Sequence, residues 1–194
     1  MKKLIFMLLM LLVTAGFASA QSQQITWEFV SDEPISANGE AGSWNSAWNE
    51  PGVVIYHDGL YHLFVNGYDG YPANTGIGYK ISEDGVTYEW VSDEPLFSRD
   101  DVSGNPVAIA VSDVIVLEDG TWVLYFFNSN SATWPRVQGT IGRATSDSPD
   151  GEWVIDEEPV LVIGEGSDWD RDSVVFASVT QVDDLFVMHY IGER

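Results

Sequence analysis

Beyond residue 20 the apolar residues of this chain alternate with polar ones in short runs, and the runs come in pairs separated by acidic turns. Three pairs stand out: VVIYHDGLYHLFVNG (53–67), VIVLEDGTWVLYFFN (114–128) and VTQVDDLFVMHYIG (179–192). Alternation with a period of two is the strand signature. His57-Asp58-Gly59, Glu118-Asp119-Gly120 and Asp183-Asp184 supply the turn chemistry of tight hairpins. A third strand is predicted in the first two copies, at Ile77-Gly78-Tyr79-Lys80 and Ile141-Gly142-Arg143-Ala144. Turns at 82–85 and 146–151 lead from it into a Trp-bearing segment. No stretch after residue 20 sustains apolar spacing at i, i+3, i+4 and i+7, so essentially no helix is expected.

The Trp-bearing segment repeats. Trp27-Glu28-Phe29-Val30-Ser31-Asp32-Glu33-Pro34 matches Tyr88-Glu89-Trp90-Val91-Ser92-Asp93-Glu94-Pro95 and Glu152-Trp153-Val154-Ile155-Asp156-Glu157-Glu158-Pro159. The offsets, proline to proline, are 61 and then 64 residues. Four short antiparallel strands repeated in tandem are the mark of a propeller blade. A sandwich or jelly roll also has short alternating strands, but does not reuse one four-strand phrase with the same turn residues. The predicted fold class is therefore all-β, a β-propeller of four-stranded antiparallel blades with about two and a half blades present. Rings close with about four to eight blades, so the chain reads as the N-terminal portion of a longer protein. In that reading the Trp27 strand completes the last blade of the ring. The alternative is a small sandwich, complete as it stands.

Charge and composition narrow the partners. Residues 1–20 read as a signal peptide: Lys2 and Lys3, an apolar stretch over 4–17, then Ala18-Ser19-Ala20 before Gln21. The expected location is secreted or periplasmic, and 21–194 is the folded domain. There is no Cys, so no disulfide contributes to its stability. Removing Lys2 and Lys3 takes the formal charge from −22 to −24, a surface that repels nucleic acid and anionic lipid. Neutral carbohydrate feels no such repulsion. No cofactor is expected; the acidity is compatible with a structural calcium ion and equally with plain solubility. His57, His62 and His189 lack metal-ligand spacing, so no metal site is predicted.

The collected phrases resemble the five-bladed β-propeller glycoside hydrolases, the arabinanase and β-xylosidase family with the related invertase and levanase family. Glu50-Pro51-Gly52-Val53-Val54-Ile55-Tyr56-His57-Asp58-Gly59 resembles that group's first blade, where an Asp-Pro opens the innermost strand. Ala144-Thr145-Ser146-Asp147-Ser148-Pro149-Asp150-Gly151-Glu152-Trp153 is similar to its "A-T-S-x-S-P-x-G-x-W" third-strand end. Trp44-Asn45 and Trp169-Asp170 resemble the "W-D" that precedes inner strands. The resemblance implies a glycoside hydrolase acting on poly- or oligosaccharide, with a glycan-binding propeller that lacks catalysis as the alternative.

Hydrolysis of a glycosidic bond needs two carboxyl groups on opposite faces of the sugar. Glu50 takes the first catalytic role by its likeness to the family's Asp-Pro, although Glu is one methylene longer. Asp172, in Trp169-Asp170-Arg171-Asp172-Ser173, resembles the Arg-Asp-Pro of the invertase-like enzymes, with Ser in place of Pro. Asp113, placed at the opening of the second inner strand, is a candidate substrate-binding residue. The resemblance puts the general acid in a later blade. Trp44, Trp48, Tyr68, Tyr71 and Trp134 are read in or beside loops, where aromatic faces stack on sugars. Of these, Trp48, Tyr68 and Trp134 are the substrate-binding candidates. Trp90 and Trp153 are expected in register on outer strands, as blade-packing residues.

Overall fold

The computed structural model describes residues 26–70, 73–131 and 138–194. The signal sequence predicted over 1–20 and the candidates Tyr71 and Trp134 lie outside the described residues. The short unit ending at Val30 is separate from the unit 31–194. In it, residues 26–30 carry no strand, which corrects the strand expected at Trp27. A strand exists only where a neighbour accepts its ladder hydrogen bonds, and these residues join no ladder among the described residues.

In the larger unit the four-strand phrase is the structural unit. The first blade has β1 (Trp48–His57), β2 (Leu60–Gly70) and β3 (Ala73–Ser82) in antiparallel order, then β4 (Glu89–Trp90) and β5 (Phe97–Ser98), both paired with β3. The outer strand is thus one strand split around Pro95, which has no N–H to donate. Val91 and Leu96 still donate to the carbonyls of Tyr79 and Ile77 on either side of the split. The second blade repeats this with β6 (Ala108–Val116), β7 (Trp122–Ser129), β8 (Gly139–Ser146) and β9 (Val154–Ile155), its outer strand resuming at Leu161 opposite Ile141. A 3₁₀ turn at Arg99–Asp101 joins the two blades, capped at Ser98. The hairpin of β10 (Ser173–Val182) and β11 (Leu185–Glu193) begins a third.

Alternation decides which residues bind blade to blade. Along β7, Trp122, Leu124 and Phe126 join Phe64, Ile77, Tyr79 and Phe97 of the first blade, while Val123 and Tyr125 join Val174, Ala177 and Val179 of the third. A strand buried on both faces reads as a continuous apolar run, and WVLYFF is that run. The other face of the first blade is covered by 35–47. Trp44 lies there on a floor of glycines, where an added Cβ would meet its ring at 2.1 Å from Gly67, 3.2 Å from Gly76 and 2.5 Å from Gly78. Its indole N–H donates to the Asp93 carbonyl at 3.0 Å, and its edge meets Trp90 at 5.7 Å.

Trp90 and Trp153 are not in register, and only Trp153 packs blade against blade; Trp90 lies under Trp44 of the covering segment and beside Lys80. Trp90 stands opposite Lys80, whereas Trp153 precedes Val154, which stands opposite Thr145. Trp153 therefore occupies the level of Tyr88, two residues earlier on the outer strand. It is buried against Phe64 of the first blade.

Candidate functional site

The first strands of the three blades, β1, β6 and β10, lie side by side, β1 against β6 and β6 against β10. Each is the edge strand of its sheet, so together they form the inner rim on which the candidate residues were predicted. Each carries a bulge, at Gly52, Ser112 and Phe176. Gly52 is pressed against its neighbour: an added Cβ would sit 2.0 Å from Val111 of β6.

The hairpin partners fix the level of every rim residue. Glu50 faces Asn66, Ala110 faces Phe127 and Val175 faces Ile191, and these partners occupy matching positions of the three second strands. Glu50 is thus matched by Ala110 and Val175, neither of which ionises. Opposite residues of an antiparallel pair share a face, so Glu50 and Asn66 both look toward the second blade. There Asn66 Oδ1 accepts the Val111 N–H at 2.7 Å and Thr75 Oγ1 accepts the Ile109 N–H at 2.6 Å, side chains of one blade holding the backbone of the next. Tyr68, two residues beyond Asn66 on the same face, donates its hydroxyl to Glu50 Oε2 at 3.0 Å. That bond fixes one carboxylate oxygen and thereby aims the other.

The remaining candidates fall at other levels. Asp172 immediately precedes β10 and donates its N–H to the Glu193 carbonyl, the position held by Ala47 in the first blade. It is three residues, about 10 Å of strand, short of the Glu50 level. Its carboxylate lies 3.5 Å from Arg171 Nε. Asp113 does not open its strand. It is the sixth residue of β6, past the bulge. Its Oδ1 accepts the N–H of Val114 at 2.8 Å and its Oδ2 that of Val179 in β10 at 2.6 Å. β6 and β10 are edge strands, whose outward N–H groups have no ladder partner, and the Asp113 carboxylate serves as the acceptor. Trp48 is half exposed at the start of β1, opposite Tyr68. Tyr68 lies within β2 and is buried, not in a loop as expected.

Trp169-Asp170 repeats the seat of Trp44-Asn45. Trp169 lies on Gly192, whose added Cβ would meet it at 2.1 Å, and stacks on Tyr190 at 5.3 Å. Tyr190 donates to Asp170 Oδ2 at 2.7 Å, and this bond raises its phenol pKa. The motif is therefore a brace before an inner strand. Sequence reading missed Asn66 and Thr75 as inter-blade clamps; the signal available was a lone polar residue interrupting an otherwise buried run. It also missed Phe176 on the rim of the third blade.

No protein-family profile matches this sequence, and no curated protein matches it. Solved structures do. A family 117 glycoside hydrolase of the marine bacterium Zobellia galactanivorans superposes with a TM-score of 0.60 at 20% identity, over 71% of this chain and 46% of that one. The family 32 β-fructofuranosidase of Bombyx mori, solved with sucrose, gives 0.54 at 17% over 74% and 29%. An exo-β-1,3-galactanase of Clostridium thermocellum gives 0.52 at 17% over 68% and 29%. This chain spans less than half the length of each. The likeness is one of fold, and the fold is that of the five-bladed β-propeller glycoside hydrolases.

Proposed function

We propose that this chain belongs to a secreted glycoside hydrolase in which Glu50 acts at the scissile bond as general base or nucleophile. The supporting observation is the clamp of Tyr68 on Glu50 at the seam of the first two blades. A catalytic carboxylate must be held within a fraction of an ångström of its working position. A Glu in place of the Asp that the resemblance implies is one methylene longer, and a hydroxyl that holds Oε2 back against the rim shortens its reach. Asp172, at the outer level, binds sugar hydroxyls in this reading. The general acid comes from a later blade, as the resemblance implies.

The test uses the full-length protein. Glu50→Gln keeps the acceptor for Tyr68, so the melting temperature should stay within a few degrees. Turnover of an aryl glycoside should fall by roughly two to four orders of magnitude, the loss expected with a general base or nucleophile. Near-normal turnover would remove Glu50 from the chemistry.

One observation favours a second reading, a glycan-binding propeller without catalysis. Ala110 and Val175 occupy the level of Glu50, and Asp113 is committed to two backbone amides. Retardation of the wild type in polysaccharide gels, with no hydrolysis on any substrate tried, would put that reading first.

A further inference from the structure

Phe176 breaks a backbone rule. Its φ is +40°, the left-handed region, and it is neither Gly nor Asn. A bulky side chain there costs about 1–3 kcal/mol and persists only where the surroundings impose it. The bulges at Gly52 and Ser112 carry no positive φ, and both lie one residue further from the level of Glu50 than the bulge at Phe176. The ring is also half exposed, at 52%. Its one braced face lies on Phe127 of the second blade, with centroids 5.6 Å apart at 40°. Phe127 is itself buried and packed tightly over Gly139, where an added Cβ would approach its ring to 1.9 Å. Phe127 faces Ala110, the residue that matches Glu50. A strained, exposed aromatic thus stands on a rigid aromatic base, on the rim and close to the level of the candidate carboxylate.

We propose that Phe176, braced by Phe127, is a stacking platform for the apolar face of a neutral sugar ring. The inference rests on the glycan reading of the rim and specifies its ligand. Aromatic faces recognise the C–H face of a sugar by area and geometry, without charge. The cations of the described rim and its surroundings are already engaged. Arg99 faces Asp100, Arg143 faces Asp156, Arg171 faces Asp172, and buried Lys80 donates to the Ile35 carbonyl. A uronate or sulfated sugar would meet a net charge of −22 and find none of these four cations unpaired.

The full-length protein is run in native gels containing debranched arabinan, β-1,3-galactan or inulin, with polygalacturonate as the anionic comparison. Phe176→Gly relieves the strained φ, so its melting temperature should equal or exceed that of the wild type. Its apparent affinity for the retarding neutral polysaccharide should fall about fivefold to tenfold. Phe176→Tyr, which keeps the ring face, should bind within about twofold of the wild type. Unchanged binding by Phe176→Gly, loss of binding by a well-folded Phe176→Tyr, or retardation by polygalacturonate alone overturns the proposal. So does a wild type that none of the neutral gels retards. Glu50→Gln separates the two readings: if it keeps full turnover while Phe176→Gly loses binding, the catalytic assignment fails and the platform stands.

Discussion

Gly67 and Gly192 show how much a single hydrogen in place of a methyl group decides in this chain. Each lies under a Trp of a Trp-Asn or Trp-Asp pair, Trp44 and Trp169, at a separation that no Cβ could occupy. Gly67→Ala must therefore expel Trp44 from a floor it shares with Gly76 and Gly78 and break its bond to the Asp93 carbonyl. Overpacking of this kind costs about 1–3 kcal/mol, read as a lowered urea midpoint with unchanged m-value. Gly59→Ala is the comparison. An added Cβ there meets nothing, and the cost is only that of its φ of +85°. The residue types at this scale were legible in the sequence, since the Trp-Asn and Trp-Asp pairs were picked out before inner strands. Their use was not. Which Trp stacks on protein and which faces solvent depends on the glycine opposite, and pairing two residues across strands requires the register.

At the scale of the element, the hairpins were read correctly because turn chemistry and alternation are local. Asp58 at φ +48° followed by Gly59 is the left-handed pair that such a turn demands. The outer strands were read less well. Trp90 and Trp153, five and six residues before Pro95 and Pro159, were expected in register, whereas the ladder places Trp153 at the level of Tyr88. The bulges were invisible, because one extra residue leaves the apolar pattern nearly intact, and Asp113 lies past a kink because β6 begins five residues before it, at Ala108. Its placement yields a test. If Asp113 serves the Val179 amide, Asp113→Ala leaves a buried N–H unsatisfied and should cost about 1–3 kcal/mol of stability. Asp113→Asn keeps one acceptor and should recover part of that. A substrate-binding residue would instead leave stability unchanged in Asp113→Ala and weaken glycan binding.

For the whole molecule the question is how stability responds to acid, and two groups answer in separate windows. His62 is buried, with Nδ1 2.6 Å from the Tyr79 hydroxyl and Nε2 3.2 Å from the His57 carbonyl. Desolvation lowers its pKa below 6.5 and pushes that of Tyr79 up to about 12. A histidine whose folded pKa is depressed binds its proton more readily when unfolded. Its contribution is therefore complete above pH 6.5 and is lost as pH falls from there through the lower folded value. Asp84, held to about 2 by the amides of Thr87 and Val86, contributes above 3.8 and loses that contribution only as pH falls through about 2. The net charge of −22 does not blur the first window, since ordinary carboxylates remain ionised above about pH 5. The melting temperature should thus decline between pH 7 and 5. His62→Gln should be less stable at pH 7 and should flatten that decline. A wild-type midpoint that stays level or rises over the same range would show that burial does not govern His62.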